Sequence, residues 1–306
     1  MSGARAQDRA ELVTLLGERV RFEEPLAPYT SWKIGGPAEI LVTLETEREL
    51  EDLLRLAFQR KLPWFVFGSG SNLLVGDGGL RGLVMRLAGD FARIEVLRED
   101  GGIVIEAGAS APAPLVVAAG ASAGAAGIDA LAGIPGSIGG VLRMNAGTDR
   151  EVGEFVRDVW VQTPAKPRAH PVTPQYYYRR TTLARDAVVA RVRLAFAAAE
   201  PALVRERTQA RLVRRKSTQP LAQPNAGSCF RNPPGDRAGR LIEQAGAKGW
   251  REGGAEVSDV HANFVINRGG ATASDVASLL ARVRRAVAVQ SGVELELEVH
   301  FVGIFA

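Results

Sequence analysis

Hydrophobic and polar positions follow two different periods along this chain, and the switches between them outline its elements. In residues 46–60, TERELEDLLRLAFQR, the leucines and Phe58 recur at helical spacing with opposed charges between them. Thr46 with Glu49 three residues on reads as an N-cap, so a helix is predicted there. PWFVFGSGSNLLV then reads as strand, glycine turn, strand, and GLVMRL, RIEVL and IVIEAG continue a β-rich region. A helix of small residues is predicted near 114–126, followed by the glycine-rich loop GIPGSIGG. Strands fit 156–162 and 187–196. Charged helical spacing covers 201–216, with Pro201 near its start, and a second clear helix covers about 273–289. The closing stretch VELELEVHFVGIF alternates strictly: Val293, Leu295, Leu297 and Val299 share one face, Glu294, Glu296, Glu298 and His300 the other. A composition shift near Ala197 draws a domain boundary at 198–200.

Composition narrows the class of protein. The chain has 306 residues, 46% hydrophobic and 24% charged, which fits a water-soluble chain of two domains or three small ones. Net charge is +4, and only 5 of its 38 basic residues are Lys. Mild basicity fits an anionic ligand. No basic run with interleaved aromatics points to nucleic acid. A single cysteine, Cys229, leaves no intramolecular disulfide and no cysteine-based zinc site, and His170, His261 and His300 have no metal-ligand spacing. No metal is expected. The N-terminus lacks the apolar core of a signal peptide. Residues 115–142 carry one charge, Asp129, but glycines and Pro135 interrupt them. The expectation is a cytoplasmic protein without a membrane span.

Five stretches can carry chemistry. In FGSGSNLLVGDGG, Gly68 and Gly70 leave backbone N–H groups uncovered beside Ser69, Ser71 and Asn72, a cradle suited to a pyrophosphate; an ordinary hairpin reads equally well. The stretch matches neither the dinucleotide fingerprint nor a Walker A loop. GIDALAGIPGSIGGVLRMNAGT sets two glycine clusters around Pro135 ahead of Asn145, which suits backbone lying along a flat ligand or a tightly packed turn. Two such loops within one 80-residue region favour a single extended cofactor. In YYYRRTTL, Arg179 or Arg180 suits a carboxylate or phosphate clamp, or is simply a surface arginine. In NAGSCFRNPPG, Ser228 lacks the context of a serine nucleophile and Cys229 reads as a packing residue. On the last strand, the glutamate face is either solvated or supplies one acid to a cleft.

Together these stretches resemble the bacterial UDP-N-acetylenolpyruvoylglucosamine reductases, flavoenzymes of peptidoglycan precursor synthesis. The likeness rests on YTSWKIGGPAE, FGSGSNLLV, GIPGSIGG, MNAG, YRRT, QPLAQPNAGSCFRNPPGDRAGRLIEQAGAKG, VHANFVIN and ELEVHFVG, in the family's order over about nine-tenths of the chain. The absence of a long insertion in the C-terminal region matches the shorter subtype.

The resemblance implies an α+β fold. Its two-part FAD-binding region would be of the vanillyl-alcohol-oxidase/PCMH type, residues 1–198 with subdomains about 20–88 and 89–198. A substrate-binding domain would follow at 199–306, its last strand returning to the FAD-binding region. The implied reaction reduces the enolpyruvyl ether of UDP-N-acetylglucosamine to UDP-N-acetylmuramate, with NADPH as hydride source and non-covalent FAD. A monomer is expected.

Residue by residue, the likeness makes Arg179, Ser228 and Glu298 catalytic. It assigns the FAD pyrophosphate to Gly68, Ser69, Gly70, Ser71, Asn72 and Leu73. The flavin falls to Gly133, Ile134, Pro135, Gly136, Ser137, Gly139 and Gly140, with Asn145, Ala146 and Gly147. Tyr178, Asn232 and Asn263 fall to the UDP-sugar. Thr218 stands where many members have Lys, leaving Arg215 or Lys216 as the phosphate contact. Other departures are Thr181 for Ser, GTDREVGE for GAYGGE, and His300 for Arg. Two rival readings remain: a related flavin oxidase of alcohols or sugar lactones, which the C-terminal motifs oppose, and a non-catalytic binding protein, which the set Arg179, Ser228 and Glu298 opposes.

Overall fold

The computed structural model describes residues 6–305. The chain forms two compact units and passes between them repeatedly. The first comprises the chain up to Arg21, Ile40–Ser69 and Gly82–Arg214; the second comprises Phe22–Glu39, Gly70–Arg81 and Arg215 onward.

The first unit is built on an antiparallel five-stranded sheet. Its strand order is Ile94–Glu99, Gly102–Gly108, Val188–Ala197, Val156–Gln162, His170–Val172. Val192 lies opposite both Ala107 and Val159, and all three are buried, so one face of the central strand feeds the core. The helix Ala113–Ala123 contributes Val116 and Val117 to that core and ends at Gly124, φ +86. A second cluster gathers under the helix Glu47–Arg60. There Thr46 Oγ1 accepts the Glu49 N–H at 3.2 Å, the expected N-cap. Leu50, Leu53, Leu54 and Ala57 face inward; Phe58, one position beyond this stripe, is 65% exposed. Each buried leucine contributes roughly 1.5–3 kcal/mol.

The second unit packs a three-stranded antiparallel sheet, Arg251–Glu252, Ala255–Val257 and Val265–Asn267, against the helices Ala238–Gln244 and Ala273–Ser291. The long helix buries Val276, Leu279, Leu280, Val283 and Val287, the expected amphipathic stripe. Thr272 and Asp275 form its capping box, and Gly292 at φ +71 ends it. Asp77 adds a cap from a distant segment, accepting the N–H groups of Ala273 at 2.8 Å and Ser274 at 3.0 Å. Trp32 is fully buried, with its indole N–H on the Val265 carbonyl at 2.7 Å.

Two elements differ from the sequence reading. GIPGSIGG is not all loop: a short helix, Ile138–Arg143, begins inside it. Gly139 fits there because a Cβ would lie 3.0 Å from Ala109. The C-terminal strand is short, His300–Val302, paired in parallel with Leu73–Val75 in the register His300 to Leu73. Residues 293–299 keep the alternating burial but make only one isolated bridge, Leu297 with Phe230. Among the described residues, no helix is long and apolar enough to cross a membrane.

Candidate active site

The first glycine loop leaves the strand Trp64–Val66 and enters the strand Leu73–Val75. Gly70 has φ +59 and its carbonyl accepts the Ser31 N–H at 3.2 Å, so the turn is held from outside. Gly68 approaches the second loop so closely that a Cβ would lie 2.8 Å from Ser137 Oγ. The second loop turns at Gly133, φ +74, and Gly136, φ +108, on either side of half-buried Ile134 and exposed Pro135. Glycine is needed at both turns because other side chains rarely adopt such φ.

These two loops line one cavity of about 180 Å³, to which Gly68, Ser69, Ser137, Gly139 and Gly140 contribute. Ser110 and Arg143 also line it, and sequence reasoning missed both. Ser110 Oγ is buried with no hydrogen-bond partner. A buried orphan hydroxyl costs about 1–3 kcal/mol, which a ligand acceptor would offset. The Arg143 guanidinium donates to the carbonyls of Ala184 and Ala187, and burial lowers its pKa. Glycine backbone, hydroxyls and a buried cation fit one portion of an anionic dinucleotide such as FAD.

A second cluster of the same unit surrounds Asn145, which is buried with φ +44. Its Oδ1 accepts the Gly153 N–H at 2.9 Å, and its Nδ2 donates to the Tyr177 carbonyl at 3.0 Å and to Glu151. Glu151 also pairs with Arg179 at 3.2 Å. Arg179 Nη2 reaches the Gly147 carbonyl at 3.2 Å, and the guanidinium stacks on the Tyr178 ring at 4.7 Å. Arg179 itself has φ +55, a conformation costing about 1 kcal/mol that such a held side chain can sustain. Burial raises the Glu151 pKa while Arg179 opposes the shift. Sequence reasoning missed Glu151 because it lies in the divergent GTDREVGE segment. The structure thus brings Asn145, Ala146, Gly147, Tyr178 and Arg179 into one neighbourhood.

The second unit holds the remaining candidates. Ser228 is half-buried and Cys229 fully buried. Burial drives the Cys229 thiol up to about 12, with Glu298 adding to the shift, so it is no nucleophile. The Glu298 N–H donates to the Cys229 carbonyl at 2.8 Å, and the Arg231 N–H to the Glu296 carbonyl at 2.8 Å. These bonds pair the Ser228 segment with the Glu298 segment. Asn72 Nδ2 donates to the Glu298 carbonyl at 3.0 Å.

Asn263 uses both ends of its amide on Phe230, accepting the N–H at 3.0 Å and donating to the carbonyl at 2.7 Å. Its side chain therefore clamps Phe230, two residues past Ser228 in the same segment. Asn232 Oδ1 accepts the Ala238 N–H at 3.1 Å, holding the start of the helix Ala238–Gln244. Lys216 is exposed, whereas Arg215 is half-buried with an unpartnered buried Nε and a pKa lowered by burial. One helical turn on, Gln219 Oε1 is likewise buried without a partner. Among the described residues, no group of three or more His, Cys, Asp or Glu could hold a metal ion.

Residues 38–163 match the FAD binding domain family, which defines the protein's class as a flavin-binding one. Residues 219–302 match the family described as UDP-N-acetylenolpyruvoylglucosamine reductase, C-terminal domain. The chain is 46% identical to the UDP-N-acetylenolpyruvoylglucosamine reductase of Moorella thermoacetica, over 96% of each chain. It is 41% identical to that of Myxococcus xanthus, over 99% of each. The crystal structure of the enzyme from Thermus caldophilus superposes with a TM-score of 0.79 at 35% identity, covering 92% of this chain and 97% of that one. The chain belongs to the UDP-N-acetylenolpyruvoylglucosamine reductase family, an oxidoreductase family, and carries an FAD-binding domain.

Proposed function

We propose that the protein reduces the enolpyruvyl ether of UDP-N-acetylglucosamine to UDP-N-acetylmuramate in peptidoglycan precursor synthesis, using NADPH. It acts as a cytoplasmic monomer with non-covalent FAD. The observation that carries this reading is the bond from the Glu298 N–H to the Cys229 carbonyl, which sets Ser228 and Glu298 on neighbouring paired segments. Family membership supplies the reaction class.

In this reading the backbone of residues 68–73 holds the FAD pyrophosphate, with Ser110 and Arg143 as further cavity contacts. Residues 133–137, Gly139, Gly140 and 145–147 lie along the flavin. Held there, FAD would supply the redox chemistry, relaying hydride from NADPH to the terminal carbon of the enolpyruvyl group. Arg179, with Glu298 when it carries a proton, stabilises the charge that spreads into the substrate carboxylate. Ser228 Oγ gives its proton to the adjacent carbon, which completes addition of two hydrogens across the double bond, and regains a proton from water. An alkanol is a weak acid, so this transfer depends on fixed geometry. Tyr178, Asn232, Asn263 and Arg215 serve the UDP-sugar, Asn263 by holding the segment that carries Ser228. Arg215 is favoured over Lys216 for the phosphates because its buried Nε lacks a partner.

The test is direct. Purified protein is expected to be yellow and to oxidise NADPH only when given the enolpyruvyl UDP-sugar. Colourless protein that cannot be reconstituted with FAD contradicts the reading, and rapid oxygen consumption with a sugar acid favours the oxidase alternative.

A further inference from the structure

Asn72 ends the first glycine loop, yet its side chain is committed elsewhere. Its Nδ2 donates to the Glu298 carbonyl at 3.0 Å, and its own carbonyl accepts the His300 N–H at 3.0 Å. On the other side, the Glu298 N–H binds the Cys229 carbonyl at 2.8 Å. Both backbone polar groups of Glu298 are therefore held by different segments. One carries Ser228 and the other leaves the glycine loop.

This matters because Glu298 lies in a gap between ladders. Before it comes the isolated bridge of Leu297 with Phe230, and the parallel pairing with Leu73–Val75 starts after it, at His300. In that gap the Asn72 amide holds the Glu298 carbonyl. An aspartate at 72 would lack the donor and set a carboxylate against a carbonyl; a serine would be shorter; a glutamine would carry one more methylene.

We propose that Asn72 is a positioning residue that fixes Glu298 for the substrate-reducing half of the reaction. This rests on the role given to Glu298 above. The loop's cradle uses the backbone at residue 72, so the side chain is free for this second task.

The experiment compares Asn72→Ala, the near-isosteric Asn72→Asp, Glu298→Gln and the double variant Asn72→Ala/Glu298→Gln as holoenzymes. FAD content, anaerobic flavin bleaching by NADPH and reoxidation by the enolpyruvyl UDP-sugar are measured separately. Amide hydrogen exchange at Glu298 and His300 is followed in parallel. Both Asn72 variants are expected to slow reoxidation about 10- to 100-fold, far more than bleaching, as a misplaced catalytic group does. Exchange at Glu298 and His300 should accelerate, and the double variant should reoxidise no more slowly than Glu298→Gln alone, since one acts through the other.

If the Asn72 variants lose FAD while their loaded fraction reoxidises normally, the side chain serves the cofactor and the proposal is wrong. If the two substitutions multiply, Asn72 does not act through Glu298. A Glu298→Gln enzyme that reoxidises at the wild-type rate removes the role of Glu298 itself, and with it the positioning role; that single variant reports which of the two ideas has failed.

Discussion

Glu298 donates its backbone N–H to the carbonyl of Cys229 at 2.8 Å, one residue past Ser228. The two residues bonded here differ by 69 positions in the chain, and neither lies in a regular strand. The bond ties the proposed proton donor's segment to the proposed carboxylate's segment. Asn263 secures the same stretch by clamping Phe230 at 2.7 and 3.0 Å. Ser228 is thus backed by a buried, hydrogen-bonded support, and a weak acid needs fixed geometry if it is to transfer a proton at a useful rate.

Ser110 should respond with opposite signs in its two states. Its hydroxyl is buried and unpartnered beside the glycine loops. Ser110→Ala is expected to stabilise the flavin-free protein, by up to about 1 kcal/mol, because the orphan group is gone. The same change should weaken FAD binding. Thermal unfolding of the flavin-free protein and FAD titration check the two halves; tighter FAD binding contradicts the assignment.

Arg179 is expected to matter for the substrate half-reaction. Arg179→Ala should slow reoxidation by about 10²–10³-fold, the range for loss of an anion-stabilising donor. Arg179→Lys should recover only part, because lysine cannot keep both the bond to Glu151 and that to the Gly147 carbonyl. Stopped-flow reoxidation of the two variants measures this.

Cys229 should be silent. With its thiol pushed up to about 12, the thiolate at pH 8 is about one part in 10⁴. Alkylating reagents should label the native protein negligibly and the unfolded protein once per chain, read by mass spectrometry. Rapid native labelling would contradict the burial of this side chain.

Stability should fall as the solution is acidified through the histidine range. Burial lowers the pKa of His261, whose Nδ1 accepts the Asn263 N–H at 3.2 Å, and burial with Arg231 lowers that of His300. The unfolded chain takes up protons near its ordinary value of about 6.5, while the folded chain resists until lower pH. Acid therefore favours unfolding between those two values, and the loss ends below the folded ones. Unfolding midpoints should drop from pH 7 towards pH 5, with a shallower slope in His261→Gln.

Much of this was readable before any coordinates. The helix under Thr46 and the long helix ending at Gly292 announce themselves by stripe and cap, because both signals are local. The turns of the glycine loops were legible for the same reason. Phe58 misled because helical spacing alone does not fix where an apolar stripe ends. The closing alternation was right about faces but overstated the strand: burial follows the pattern, while regular strand begins only at His300, after one isolated bridge at Leu297. Contacts made far along the chain left no trace. Nothing in FGSGSN says that Gly68 will abut Ser137, or that Ser110 will share their cavity. Glu151 was hidden in a divergent loop, and Asn263 looked like a ligand contact because its sequence does not reveal the Phe230 backbone it clamps.

The most direct test of the central claim is Ser228→Ala in anaerobic stopped-flow. Bleaching of the flavin by NADPH should stay near the wild-type rate, while reoxidation by the enolpyruvyl UDP-sugar slows by about 10²-fold or more. Ser228→Cys, which restores an acidic proton, should recover part of that loss. Equal slowing of both half-reactions, or unchanged reoxidation, would contradict the account of Ser228 as the proton donor.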